Sequence, residues 1–345
     1  MKNLSEAPLR KSVRKIKLCI PIYFDAGIYP SAGVYAERRS IYWRTIAVLC
    51  ASIRRSSVSD LDIIVCTNEP PSSEISSKLN ELDVSLISPG FSFRAPEGMA
   101  PLFSGAFYLF DCMTYCCQNF SRDDIFMFVD PDCLVMKGFD VIREYCDQWP
   151  LIGYELDIDK DQSVNGCSRS DLLAFLNTME DNHHVQPPTY FGGEFFVAAG
   201  EALRDICSLV EGVWKINKVN FQSGRTSLKT EEHVLSAALA LSPDRVGTGN
   251  VIIKRMWTRP SFRNVASADR ALLIWHLPAE KRYGFQQLFY LIALDMKNLT
   301  SLNDRQFEDL VAQLVRLEPS SVEKVWHFLY PKVKSILLGH DTADG

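Results

Sequence analysis

The chain has 345 residues, 47% hydrophobic and 23% charged, with 37 basic and 42 acidic side chains and a formal net charge of −5. That is the composition of a globular protein with a sizeable core, and it excludes collagen-like, coiled-coil and disordered classes. The acidic balance argues against nucleic acid held by a bulk electrostatic field, so any anionic ligand needs a local site.

The amino-terminal half alternates strand and helix patterns. Lys17–Phe24 is a short apolar run stopping at Asp25-Ala26-Gly27, which reads as a buried strand ending in a turn. Residues 34–55 space Tyr35, Ile41, Tyr42, Ile46, Leu49 and Ile53 for a helix. Leu61–Thr67 is a second strand, Pro70-Pro71-Ser72 opens a short helix to Leu82, and Val84–Ile87 is a third strand closed by Pro89-Gly90. An apolar helix over 104–120 leads into a fourth strand, Asp124–Val129. Alternation at this spacing calls for crossover connections and a mostly parallel sheet, hence an α/β fold.

Beyond residue 150 the pattern loosens. Leu151–Leu156 reads as a strand, 170–179 as an exposed helix, and Tyr190–Val197 as a strand whose Gly192-Gly193 lets a backbone or ligand approach closely. A helix (201–217), a polar loop (218–229), a helix (231–241) and strands near 251–257 and 271–276 follow. From Ser301 the apolar spacing suggests two or three terminal helices, with Pro319 and Pro331 as breakers and a soft boundary near 295.

Ten cysteines lie mostly in apolar runs, and none forms a Cys-x-x-Cys pair. Such thiols behave as small buried hydrophobes and predict a reducing, cytoplasmic setting. Met1–Lys17 is basic without a signal-peptide apolar run, and no uninterrupted apolar stretch has the length of a membrane span. Arg10, Lys11, Arg14, Lys15 and Lys17 could touch an anionic membrane surface peripherally or form a solvated terminus. The sequons at Asn3, Asn119 and Asn298 carry little meaning in that setting.

Among several Asp-x-Asp pairs, Asp130 and Asp132 stand apart because they end an apolar strand, where open α/β sheets place their ligand crevice. Two carboxylates there can share one Mg²⁺ or Mn²⁺, which substrate phosphates commonly complete; the alternative is a polar strand end with Asp132 capping a turn. Glu231 and Glu232 open a predicted helix, where the dipole favours carboxylates with or without a catalytic role. His276 follows a strand and could complete an oxygen–nitrogen metal shell or be structural. His183-His184 would point apart on a strand and reads as loop. Lys254, Arg255 and Arg259 around Trp257 are phosphate binders or surface charges.

An apolar strand running into Asp130-Pro131-Asp132 after a stretch of β/α alternation resembles the nucleotide-sugar transferases of the GT-A fold. Tyr190–Glu201 is similar to the Gly-Gly-x-Phe-Phe segment of the retaining blood-group-type transferases (glycosyltransferase family 6), and Glu231–Ser236 to their later Asp-Glu-x-x-Leu-Asn segment. Ile274–Lys281 looks more like the His-x-x-x-x-Lys ending of family 8 transferases. The helix before the Asp-x-Asp strand carries Ala106, Phe107 and Tyr108 where family 6 has arginines, so another cation has to serve.

The resemblance implies a GT-A, Rossmann-like fold with a C-terminal helical extension. It divides the chain into a basic tail (1–16), a catalytic domain (17–295, its nucleotide-binding half 17–135 and acceptor half 136–295) and C-terminal helices (296–345). It also implies a Mn²⁺- or Mg²⁺-dependent hexose or N-acetylhexosamine transferase, taking a nucleoside diphosphate sugar, most commonly of uridine, to a hydroxyl acceptor such as a glycan.

By position, Asp130, Asp132 and His276 would hold the metal, with Asp130 and Lys281 at the diphosphate. Pro21, Ile22, Tyr23 and Asp25 would line the base and ribose site. Glu232 would lie beside the anomeric carbon, Glu231 would bind donor hydroxyls, and Glu194 would meet the acceptor or be a buried ion-paired carboxylate. Two other readings remain: a transferase-like binding scaffold without catalysis, and a sugar nucleotidyltransferase, whose Gly-rich basic loop residues 25–40 do not reproduce. The lack of an anchor fits an enzyme of surface-polysaccharide assembly acting in the cytoplasm or peripherally at the inner membrane.

Overall fold

The computed structural model describes residues 14–25, 35–56, 60–100, 102–179, 185–259 and 261–318. The expectations at residues 1–13, Gly27, His183-His184, Pro319 and Pro331 lie outside them. In chain order the first half holds β1 (Ile16–Ile22), α1 (Tyr35–Arg55), β2 (Leu61–Thr67), α2 (Ser73–Glu81) and β3 (Val84–Ile87). A 3₁₀ turn (Ser104–Phe107) then leads into α3 (Tyr108–Asn119), followed by β4 (Ile125–Val129), β5 (Cys133–Val135), α4 (Asp140–Gln148) and β6 (Leu151–Glu155). The middle of the chain supplies α5 (Arg169–Leu176), β7 (Phe191–Ala199), α6 (Gly200–Gln222) and α7 (Glu231–Leu241). Short strands β8 (Val246–Thr248), β9 (Ile253–Arg255), β10 (Thr258–Arg259), β11 (Phe262–Arg263) and β12 (Ile274–His276) precede α8 (Gly284–Leu294), α9 (Lys297–Thr300) and α10 (Asp304–Leu314).

The main sheet has the order β3-β2-β1-β4-β7-β6-β8. Pairings β1–β2, β1–β4, β2–β3 and β6–β8 are parallel, and β7 is antiparallel to both β4 and β6. Only β7 therefore runs against the other six strands. Strand pleating sends alternate residues to opposite layers. Ile125, Met127 and Val129 join one core with α1, α8 and α10, while Phe126 and Phe128 join the other with α3, α6 and α7. Burial on both faces explains why these strands read as continuous apolar runs. Among the described residues no helix is long and apolar enough to cross a membrane.

Two details open a crevice at the carboxyl ends of the parallel strands. β1 pairs with β2 through Thr67 but leaves β4 after Cys19, and Pro21, which has no N–H for a ladder, falls in the parted stretch. A separate three-stranded sheet, β5-β12-β9, lies just beyond β4, with β12 antiparallel to β5 and parallel to β9.

Several expectations change. α6 runs on through Gln222, into the expected polar loop, because its polar residues are used internally. Asn217 exchanges hydrogen bonds with the backbone of Leu228 (3.1 and 2.7 Å), and the Asn220 amide donates to Thr178 Oγ1 at 2.9 Å. The strand expected over 271–276 is a 3₁₀ turn (Ser267–Ala271) followed by the three residues of β12. α4, α8, β5, β8, β10 and β11 were not expected from the sequence.

Candidate functional site

The register of the small sheet builds the centre of the site. His276 of β12 pairs with Cys133 of β5 on one side and Arg255 of β9 on the other. The Leu277 N–H donates to the Asp132 carbonyl at 2.9 Å, which sets the imidazole beside the Asp-Pro-Asp turn. That turn leaves β4 with the Asp130 N–H donating to the Glu194 carbonyl of β7 at 3.0 Å, and closes with the Cys133 N–H donating to the Asp130 carbonyl at 3.2 Å. His276 Nε2 faces Asp132 Oδ2 at 3.3 Å and Asp130 Oδ2 at 3.7 Å. One ligand atom from each of the three residues falls within 4.8 Å of the others.

On its other side His276 Nδ1 lies 3.1 Å from Glu194 Oε1, and Arg255 grips the same carboxylate with both Nε and Nη2 at 2.6 Å. The Glu194 side chain is 0% exposed. The structure shows the buried, ion-paired carboxylate: Arg255 holds both of its oxygens, and His276 shares Oε1. With Nδ1 fixed on a carboxylate, Nε2 is the nitrogen left for a ligand. Two oxygens and one imidazole nitrogen on rigid strand ends suit Mn²⁺ or Mg²⁺ completed by phosphate oxygens.

Charge in the cluster is balanced internally. Burial disfavours the imidazolium, but Asp132 and Glu194 outweigh it and push His276 up to about 9. Enclosure in the cleft and the negative charge of Asp132 push Asp130 up to about 6. Enclosure acts on Asp132 in the same direction, yet Lys281 and His276 hold it well below the usual carboxylate range. Glu194 likewise stays low despite burial, held by Arg255 and His276. Lys281 Nζ is paired directly with Asp132, carried there by the turn that follows His276.

The second group of carboxylates comes from the first turn of α7. Thr230 caps it, and His233 Nδ1 accepts the Thr230 N–H at 3.1 Å while Nε2 meets the Val164 carbonyl at 3.1 Å. Ser236 holds α7 to β7, accepting the Phe191 N–H at 2.9 Å and donating to its carbonyl at 3.2 Å. The segment Glu231–Ser236 therefore owes its pattern to docking as well as to its carboxylates. Glu232 Oε1 accepts from Asn165 Nδ2 at 2.6 Å and the Tyr190 hydroxyl at 2.8 Å, and its Oε2 lies 3.5 Å from Arg255 Nη2. Glu231 is different: its Oε2 is enclosed with no hydrogen-bond partner, and burial together with Glu232 pushes its carboxyl well above the usual range. A Cβ at Gly193 would overlap Glu231 Oε1, so a side chain there would push the Glu231 carboxylate aside.

These residues line one cavity of about 360 Å³, whose wall includes Pro21, Ile22, Tyr23, Asp130, Asp132, Glu194, Glu231, Glu232, His276 and Lys281. Tyr23 packs on Phe91 (ring centroids 4.5 Å apart) and Tyr108 (5.2 Å), with Arg94 over its ring and bonded to its hydroxyl. Asp25 is the exception among the expected residues. Its carboxylate accepts from Ser104 Oγ at 3.1 Å and stands outside the cavity wall. Lys254 is drawn away to Asp269 at 2.7 Å, whereas Arg255 belongs to the wall. Sequence reasoning missed Arg38, Tyr42, Asn165, Tyr190 and the internal pairing of Arg255. The left-handed backbone at Asn165 and Gly166 (φ +50° and +87°) marks a tight turn that an Asn-Gly pair could have signalled.

No protein-family model matches the chain, and no curated protein sequence does. Among solved structures, it is similar to the apo form of mouse xyloside xylosyltransferase 1 at 11% identity, covering 76% of this chain and 97% of that one, with a TM-score of 0.46. It is also similar to the galactosyltransferase LgtC with donor and acceptor sugar analogues (9% identity, 90% and 99% covered, TM-score 0.47). A third is the apo bifunctional glycosyltransferase WbbM (13% identity, 78% and 46% covered, TM-score 0.48).

Proposed function

We propose that the protein is a metal-dependent glycosyltransferase of the GT-A type. It moves a hexose or N-acetylhexosamine from a nucleoside diphosphate sugar, by preference a uridine one, to a hydroxyl of a glycan, with retention at the anomeric carbon. The observation that carries this reading is the convergence of Asp130, Asp132 and His276 within 4.8 Å, in one cavity with the carboxylate pair Glu231 and Glu232. Polysaccharide assembly in the cytoplasm, with peripheral contact at the membrane, belongs to the same proposal.

Each residue's part follows from chemistry. Asp130, Asp132 and His276 would hold Mn²⁺ or Mg²⁺, which when bound supplies positive charge against the diphosphate leaving group. Lys281, already ion-paired in the cavity, and Arg38, in its wall, are cations that can take phosphate oxygens in the absence of helix arginines. Glu194 and Arg255 orient His276 and keep its Nε2 turned inward. Tyr23, with Pro21 and Ile22, offers an apolar face for a base, and Asp25, which follows Phe24 of the wall, would have to turn from Ser104 to reach ribose or base. Glu231, whose carboxyl favours the neutral form, can both donate to and accept from sugar hydroxyls. Glu232, braced by Asn165, Tyr190 and Arg255, is the carboxylate that supports positive charge at the anomeric carbon, as nucleophile or as electrostatic partner.

Thermal unfolding of the full chain against a panel of nucleoside diphosphate sugars with Mn²⁺ tests the site. A donor at 100 times its dissociation constant adds about 2.7 kcal/mol. One donor should stabilise selectively, and Asp132→Ala or chelation should abolish the shift. A response independent of metal would favour a binding scaffold instead.

A further inference from the structure

Away from the cavity, the facing surfaces of α3 and α6 bring two thiols together. Cys117 Sγ of α3 and Cys207 Sγ of α6 lie 3.5 Å apart, although 90 residues separate them in sequence. Cys19 and Cys116 are as close, at 3.4 Å, but both are fully buried. Cys117 and Cys207 are half-buried, whereas the other eight cysteines are buried. Both line a second cleft of about 490 Å³, with Arg204, Lys215, Lys218 and Glu211 on its wall.

We propose that Cys117 and Cys207 form a redox-active dithiol that an anionic small-molecule disulfide, of the kind represented by oxidised glutathione, converts into an intrachain disulfide joining α3 to α6. The Cys117 thiolate attacks one sulfur of the small disulfide, forming a mixed disulfide and expelling one small thiolate. Cys207 then attacks Cys117 Sγ, the protein disulfide forms, and the second small thiolate leaves. The two cysteine protons end on the two released thiols. The protein dithiol is thereby oxidised, and the small disulfide is reduced.

The surroundings set this order. Arg204, one turn before Cys207, donates to the Cys117 carbonyl at 2.9 Å and keeps its guanidinium beside that thiol. The hydrogen bond from Cys207 and the charge of Arg204 lower Cys117, and the same hydrogen bond raises Cys207, so Cys117 is the attacking sulfur. Glu211 is ion-paired with Lys215 at 2.7 Å, which leaves the cleft cationic on balance and suited to a carboxylate-bearing disulfide. Bond formation must draw the sulfurs from 3.5 Å to about 2.05 Å, a movement within side-chain reach. The bond would tie α3, whose Leu109 lines the main cavity, to α6.

The test exposes reduced full-length protein to excess oxidised glutathione and reads intact mass, non-reducing peptide maps and the unfolding temperature. The expected result is loss of two hydrogens, one linked peptide pair containing Cys117 and Cys207, and a higher Tm that dithiothreitol reverses. Cys207→Ser should instead trap one stable glutathione on Cys117. Unchanged free thiols, a stable adduct on the wild-type chain, or a bond mapping to other cysteines would each overturn the proposal.

Discussion

Replacing Glu194 by Gln keeps the shape of the side chain and removes its charge, which the structure makes costly in two separable ways. The carboxylate is fully enclosed and receives two bonds of 2.6 Å from Arg255 and one contact of 3.1 Å from His276. Breaking a buried ion pair by removing one partner costs about 3–5 kcal/mol. The retained carboxamide oxygen and the Glu232 contact at 3.5 Å place this case near the lower end, about 3 kcal/mol. Loss of the carboxylate behind the imidazole proposed to hold the metal should also weaken metal affinity by about 10–100-fold. Urea unfolding followed by tryptophan fluorescence reads the first effect, as a lower midpoint at unchanged slope. Titration of Mn²⁺ with detection of the free ion by electron paramagnetic resonance reads the second. A variant within about 1 kcal/mol of wild type and with unchanged Mn²⁺ affinity would show that Glu194 neither pairs Arg255 nor orients His276.

Other consequences are independent of that pair. A Cβ at Gly200 would overlap the Arg122 backbone at its carbonyl oxygen, so Gly200→Ala should destabilise by about 1–3 kcal/mol in urea unfolding. Gly212, in the middle of α6 with open space around it, should gain about 0.5–1 kcal/mol on substitution by Ala. In the metal-free protein His276 is raised from 6.5 to about 9. Its contribution, about 3 kcal/mol, is fully present below pH 6.5 and is lost as pH rises through 9. His276→Gln should therefore cost more stability at pH 6 than at pH 10, and equal costs at the two values would refute the assignment.

The sequence was most informative where one element is buried on one or both faces. Leu61–Thr67 and 231–241 coincide with β2 and α7, because apolar runs bounded by turn residues leave little choice of register, and the exposed edge strand β3 is marked by the turn residues Pro89-Gly90 beyond it. α8 escaped notice because Gly284–Leu294 is apolar nearly all round, which hides a helical period. β9 and β12 fall inside the strands read near 251–257 and 271–276, β5 is too short to carry a pattern, and it is their shared register that brings His276 beside Asp132 and Arg255. Asp130, Asp132, His276, Lys281, Glu231 and Glu232 could be singled out by type and context, and they meet in one cavity. The roles of Asn165, Tyr190 and Arg255 were not legible: each matters for what it touches, and no spacing in the chain encodes the contacts with Glu232 and Glu194.

Transfer of a sugar from a nucleotide donor leaves a nucleoside diphosphate behind. The most direct measurement is release of nucleoside diphosphate from a panel of sugar nucleotides by the full chain, with and without Mn²⁺, beside Asp130→Ala and His276→Ala. Release should come from one donor class, need the metal, and be lost in both variants while their folds persist. Release that is indifferent to chelation and to both substitutions, or no release from any donor in the presence of varied hydroxyl acceptors, would contradict it.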